Sequence, residues 1–210
     1  MAEREPATQD ESAMPPPDGE DTGILVIRVG TAEPKVYRDL TDEQCLSLVA
    51  RQAPDLARAM RSTVAQLYAI RNEVLVDPDN AVEYYLLQAA RAQADQTLNQ
   101  DLEDLGEGDQ TRRIEEYHRY SSIGSALLYD GKSFSGSTKF FTVTWPNMKW
   151  WPYRFNDRAS SAKAWGGNVL FQHTWYRGRR LWLIGLPFVQ FGDLGVFGFD
   201  NIASSFASVG

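Results

Sequence analysis

Two six-residue stretches carry matched sets of oxygen-bearing side chains: Asn156-Asp157-Arg158-Ala159-Ser160-Ser161 and Asp200-Asn201-Ile202-Ala203-Ser204-Ser205. Both read acid or amide twice, two variable positions, then Ser-Ser, and both follow a phenylalanine, Phe155 or Phe199. Carboxylate, amide and hydroxyl oxygens without sulfur or imidazole are the atom types that a hard cation takes. The copies lie 44 residues apart. Upstream of each is a second shared pattern, Tyr129-x4-Phe134-x-Gly136 and, 42 residues on, Phe171-x4-Tyr176-x-Gly178. Matched landmarks in one order at nearly one period indicate an internal duplication of ~40 residues.

The elements that must position these stretches differ from the rest of the chain. The 210 residues carry a net charge of −7. Residues 1–110 hold 9 Lys/Arg against 22 Asp/Glu, whereas residues 111–210 hold 12 against 6. All six Trp and all ten Phe fall between Phe134 and Phe206, so the C-terminal part has the large apolar side chains for its own core. Gly-punctuated short strands are expected there, at Ala126–Tyr129, Lys139–Thr144, Asn168–Phe171 and Arg180–Ile184, with a tight hairpin at Asp130–Ser133. Many short strands at regular spacing predict an all-β sandwich.

The aromatic-Gly hairpins and the hexapeptides together resemble the βγ-crystallin family, in its microbial calcium-binding form, over residues 123–210. The resemblance implies a two-motif Greek-key sandwich and two Ca2+ sites exchanged between the motifs. One site would use the Arg158 carbonyl, the Ser160 hydroxyl and the Asn201 side chain. The other would use the Ile202 carbonyl, the Ser204 hydroxyl and the Asp157 side chain. Each would add a hairpin carbonyl, near Asp130 and Gln172. Asn156 and Asp200 would shape the loops. Separately from the ion, Gly136 and Gly178 suit positive φ at a folded-over hairpin, and one Ser of each pair could bond that corner. A carboxylate ligand at Asp157 and a neutral one at Asn201 predict unequal affinities.

Ahead of this domain the pattern is helical. Residues 1–22 are acidic and Pro-rich and are expected to be a disordered tail. Gly23–Val29 reads as one strand. Thr41-x-x-Gln44 is a capping-box start, and Pro54-Asp55 opens a second helix with the stripe Leu56, Met60, Val64, Leu67, Ile70. A third helix is expected over Ala81–Leu102. Residues 23–110 are therefore a small mainly α-helical region and 111–122 a charged linker, which makes the whole chain α+β and multidomain.

Several function classes recede. One cysteine, Cys45, excludes an intramolecular disulfide, which suits a reducing compartment; with neither a secretory pattern nor an apolar run long enough to span a bilayer, the expected location is cytoplasmic. Asp77-x-Asp79 fails as an EF-hand, since Val82 stands where Gly is needed and Gln88 where Glu is needed. His118 and His173 match no metal or nucleophile motif and are expected at the surface, and Cys45 is expected in a core. The expectation is a non-enzymatic calcium binder, with calcium ions as partners, a protein partner through the helical region, and no membrane. The crystallin-like resemblance also leaves open a peptidase inhibitor or toxin, or a calcium-gated interaction module. The basic-aromatic runs Lys149–Arg154 and Trp175–Arg180 could hold single-stranded nucleic acid, although core aromatics with solvated charges explain them better.

Overall fold

The computed structural model describes residues 22–77, 79–118, 124–150 and 152–209. All of the expected tail (residues 1–22) except Thr22 and part of the expected linker (119–122) lie outside them, as does Trp151 of the first basic-aromatic run.

The C-terminal half is built on two long strands, β5 (Ser161–His173) and β6 (Arg177–Phe191). Each passes through both layers of a sandwich, so the hydrogen bonding is continuous across one seven-stranded sheet that folds over on itself. The fold-over falls at Gly166, whose φ is +65° and where the β5–β6 register shifts. On one side of it, residues 161–165 of β5 pair with β3 (Ser125–Tyr129), which pairs in turn with β4 (Thr138–Phe141). On the other side, residues 167–171 pair with β7 (Ser205–Val209). Trp145 adds a single antiparallel bridge to Phe206 in that second layer. Each motif thus builds three strands of one layer and lends a short piece to the other. This is a double Greek-key sandwich of βγ-crystallin type.

The core between the layers holds Leu128, Phe141, Trp145, Phe155, Leu183, Phe199 and Phe206, all buried. The sheet is also apolar on its outside. Leu127, Tyr129, Phe140 and Trp165 form a second cluster beyond the first layer, and Phe171, Trp182, Ile184 and Val209 a third beyond the other. Both outer faces are covered by the N-terminal half.

That half begins with β1 (Gly23–Val29), which pairs in parallel with β6 from Gly23↔Arg180 to Val29↔Leu186. Period-two alternation places Val26 in the core between the layers and Leu25 and Ile27 in the outer cluster. A second strand, β2 (Lys35–Leu40), was not expected; it pairs antiparallel with β1 and forms the new edge. Helix α1 (Asp42–Ala50) carries the expected capping box, with Thr41 N donating to Gln44 Oε1 at 2.8 Å. Helix α2 (Pro54–Val76) starts at its proline, and both helices cover the outer face of the second layer through Leu46, Val49, Met60 and Val64.

The single helix expected over 81–102 is two, α3 (Asp79–Arg91) and α4 (Gln93–Glu103), broken at buried Ala92. Packing explains the break. Tyr85 of α3 meets Trp145 and Trp150 edge-on at 5.6 and 4.9 Å, whereas α4 lies along β4. Helix α5 (Glu107–His118) then crosses the outer face of the first layer with buried Ile114. The expected strand to Thr144 stops at Phe141. His118 and His173 are both partly buried rather than at the surface, and His118 stacks on Trp165 at 5.5 Å. Cys45 is fully buried, as expected. The division into units at residues 22, 110 and 122 is a proposal about folding units; the strand pairing and both outer clusters run across it.

Candidate functional site

The two hairpins have the same backbone. Ser133 and Phe134 take φ of 53° and 60°, Gly136 takes 80°, and the second copy repeats this with Trp175 at 57°, Tyr176 at 58° and Gly178 at 74°. Glycine is needed at the last position: a Cβ on Gly136 would stand 2.1 Å from Asp130 Oδ1, and one on Gly178 2.6 Å from the His173 ring. The last Ser of each hexapeptide ties the corner down. Ser161 Oγ donates to Gly131 O at 2.6 Å and accepts from Phe134 N at 3.0 Å. Ser205 Oγ donates to His173 O at 2.7 Å and accepts from Tyr176 N at 3.1 Å.

The hexapeptides themselves run past each other. Asp157 N donates to Ala203 O, and Asn201 N to Ala159 O, both at 3.0 Å. Asp157 and Asn201 sit at φ of 51° and 55°, the left-handed conformation that Asp and Asn tolerate best among residues with a Cβ. This turn aims each side chain at the other motif. Ser160 Oγ donates to Asn201 Oδ1 at 3.1 Å, and Ser204 Oγ donates to Asp157 Oδ1 at 2.9 Å.

So the structure joins Ser160 with Asn201 and Ser204 with Asp157, across the motifs. Two oxygens about 3 Å apart can both lie at the ~2.4 Å that a calcium ligand needs, once the hydroxyl turns its lone pair to the ion. Among the described residues, neither the Arg158 nor the Ile202 carbonyl accepts a hydrogen bond. The two hairpin residues carry polar contacts of their own. The Asp130 carboxylate pairs with the Arg158 guanidinium and accepts from Ser137 N at 2.7 Å. Gln172 Oε1 accepts from Arg179 Nε at 3.2 Å.

The surroundings add features that the sequence did not indicate. Arg158 lies over the Phe155 ring at 5.2 Å and Arg179 over the Phe199 ring at 5.7 Å, so each hexapeptide's leading phenylalanine is capped by a guanidinium. At the first hexapeptide position, Asn156 Oδ1 and Asp200 Oδ1 are buried and make no hydrogen bond. Near the Asn201 pair, Lys132 bonds Asp193 Oδ2 at 2.9 Å. That bond raises the Lys132 pKa and, with the Gly195 amide, lowers that of Asp193. The repeat could have pointed to the matched first positions. Arg158 lies within its own hexapeptide, three residues after Phe155, whereas Arg179 reaches Phe199 through the fold and no local pattern announces it. Among the described residues, no three His, Cys, Asp or Glu side chains gather as a metal cluster; the paired oxygens above draw instead on hydroxyl, amide and a single carboxylate.

The fold and the crossed hexapeptides define the class, a βγ-crystallin-like domain with helices ahead of its strands. Comparison with solved structures gives the following similarities. An archaeal βγ-crystallin is 25% identical, over 41% of this chain and 98% of its own, with a TM-score of 0.36. A βγ-crystallin from Ciona intestinalis is 21% identical, over 40% and 96%, with a TM-score of 0.36. Spherulin 3a from Physarum polycephalum is 21% identical, over 40% and 82%, with a TM-score of 0.33. No protein-family model matches the chain, and no curated protein matches it. Among the described residues, no helix is long and apolar enough to cross a membrane.

Proposed function

We propose that the β-domain binds two calcium ions, one at each crossed hexapeptide pair, and that the ions order and stabilise the fold without catalysing a reaction. The reciprocal pairing carries this reading: Ser160 with Asn201 and Ser204 with Asp157. Each pair joins segments from different motifs, so an ion held there cross-links the two halves of the sandwich. A ligand that binds only the folded state stabilises it by RT ln(1 + [Ca]/Kd), about 2.7 kcal/mol at a hundredfold excess. The Arg158 and Ile202 carbonyls and hairpin carbonyls near Asp130 and Gln172 complete the proposed ligand sets. The setting we propose is cytoplasmic.

The deciding measurement is the thermal midpoint of the full chain with calcium, with magnesium and with chelator. A rise with calcium alone is expected; identical midpoints in all three would defeat the reading. Calorimetry is expected to resolve two unequal sites. Asp157→Ala should cost more affinity than Asn201→Ala, because only Asp157 offers the ion a formal charge.

A further inference from the structure

The outward face of α3 is apolar where a solvated helix would be polar. Val82 is 58% exposed, Leu86 60% and Leu87 51%, and at the nearby end of α2 Val76 is 87% exposed. A contiguous exposed apolar patch of this kind marks an interaction site. The opposite face of the same helix is already used, with Tyr85 packed on Trp150 and the Tyr84 hydroxyl 3.1 Å from that of Tyr176. One face of α3 is thus packed against the β-domain and the apolar one is exposed.

The charges beside the patch select its occupant. Glu83 and Arg91 stand four residues before and four after Leu87. Both are exposed, and neither has an ion-pair partner among the described residues. Helical spacing places all three on one side of α3. An antiparallel two-fold centred on Leu87 therefore brings Glu83 of each copy opposite Arg91 of the other. The same operation sets Leu87 against its own copy, with Leu86 and Ala90 on the flank of that contact. Self-complementarity of this kind is what an isologous interface requires. The rim is otherwise acidic, with Glu73, Asp77 and Asp79 exposed, which disfavours an anionic lipid surface.

We propose that the chain self-associates through α3 as an antiparallel, two-fold symmetric dimer, independently of calcium. A pair of helices of this length buries less than the ~1,200 Å² of a standard interface, so the dimer is of the transient class and its mass should climb between roughly 1 µM and 1 mM.

Analytical ultracentrifugation of the full chain, with calcium and with chelator, is the test. The wild type is expected to approach twice the monomer mass in both. Leu86→Glu should stay monomeric with an unchanged thermal midpoint, since the side chain is exposed. Glu83→Arg should weaken association by about fivefold or more, because the two-fold removes two ion pairs at once, and adding Arg91→Glu should restore it. Cys45 is fully buried with its thiol pKa pushed up to about 12 by burial, so it will not interfere with cysteine cross-linking. Leu87→Cys should therefore join two chains under mild oxidation far faster than a control at exposed Val196. A monomer at every concentration overturns the proposal, as does a double charge reversal that fails to rescue, or equal cross-linking at Leu87→Cys and Val196→Cys. A calcium-independent dimer in a chain that shows no calcium-dependent midpoint would support this inference while defeating the calcium reading.

Discussion

The two open edges of the sandwich are closed in opposite ways. At β6 the chain adds backbone: β1 pairs in parallel over seven residues, and β2 extends the sheet again. At β4 it adds side chains. Asn99 of α4 donates to Phe140 O at 2.8 Å and accepts from Phe140 N at 2.6 Å, which imitates one rung of a ladder. One turn earlier, Asp95 accepts from Thr142 N at 2.7 Å and also from the Thr142 and Tyr153 hydroxyls. Unpaired sheet edges invite aggregation; the side chains cover the β4 edge, whereas the added strands move the other edge out to β2, a short strand carrying Lys35, Arg38 and Asp39. They differ in tolerance. A strand pairs through main chain that most substitutions leave intact, whereas a side-chain cap fails with one residue.

Breaking the backbone closure should have the largest effect. Deleting residues 1–31 removes Leu25, Val26 and Ile27, all essentially buried. At about 1.5–3 kcal/mol each, their loss takes up most of an ordinary domain's 5–15 kcal/mol margin. The truncated chain is expected to lose its cooperative thermal transition and bind a hydrophobic dye; a sharp transition near the wild-type midpoint would show that β1 is dispensable.

The side-chain closure should break next. Asn99→Leu strands a buried N–H and C=O at Phe140, at roughly 1–3 kcal/mol for each group left unpaired. Urea titration should show that loss with an unchanged slope. A cost under ~0.5 kcal/mol would mean that water replaces the amide.

Asp95 sharpens the comparison through pH. It is 2% exposed, and desolvation raises its pKa above the ordinary 3.8 despite the hydrogen bonds from Thr142 and Tyr153 that oppose the shift. A raised folded-state pKa gives stability that is fully present below about 3.8 and is lost as pH rises through the folded value. The stability difference between wild type and Asp95→Asn should therefore shrink as pH rises from about 4 toward 8. A difference that grows over that range would reverse the sign of the shift.

The smallest effect is expected at the anchors between helices and outer faces. Arg180 reaches Asp42 of α1 at 3.3 Å, and Lys163 reaches Glu107 of α5 at 2.7 Å. The Lys163 side chain is 3% exposed, but its partner is half in solvent. It also lies over the Phe134 ring at 4.7 Å. Lys163→Met keeps the stem's packing and removes a partly screened pair, so its cost should stay within about 1 kcal/mol by chemical denaturation.

The same contrast explains what could be read from the sequence. The hairpins and hexapeptides were legible because a few adjacent residues dictate them: a glycine at positive φ, an Asp or Asn in the left-handed region, and a Ser that ties a corner. The start of α1 was legible for the same reason. The destination of Gly23–Val29 was not, since Ile24–Ile27 would suit any sheet edge and the partner strand lies far along the chain. The break at Ala92 has no glycine or proline to announce it; it exists because α3 and α4 must face different surfaces. One clue was present and unused. Residues 126–129, Ala-Leu-Leu-Tyr, do not alternate with polar residues, and a strand apolar on both faces needs cover on both. Leu127 and Tyr129 were already reporting the helices outside.

The parallel register of β1 also sets an order of events at synthesis. Every residue of β1 pairs with one more than 150 positions later. At ~5–20 residues per second, β1 waits on the order of ten to thirty seconds before β6 exists. Through that interval Ile24–Ile27 can pair only with β2 on one side, and its β6-facing side has no partner; contacts of such long range form slowly even once the chain is complete. The strand that covers the β6 edge is therefore itself left half-paired while the chain is being made.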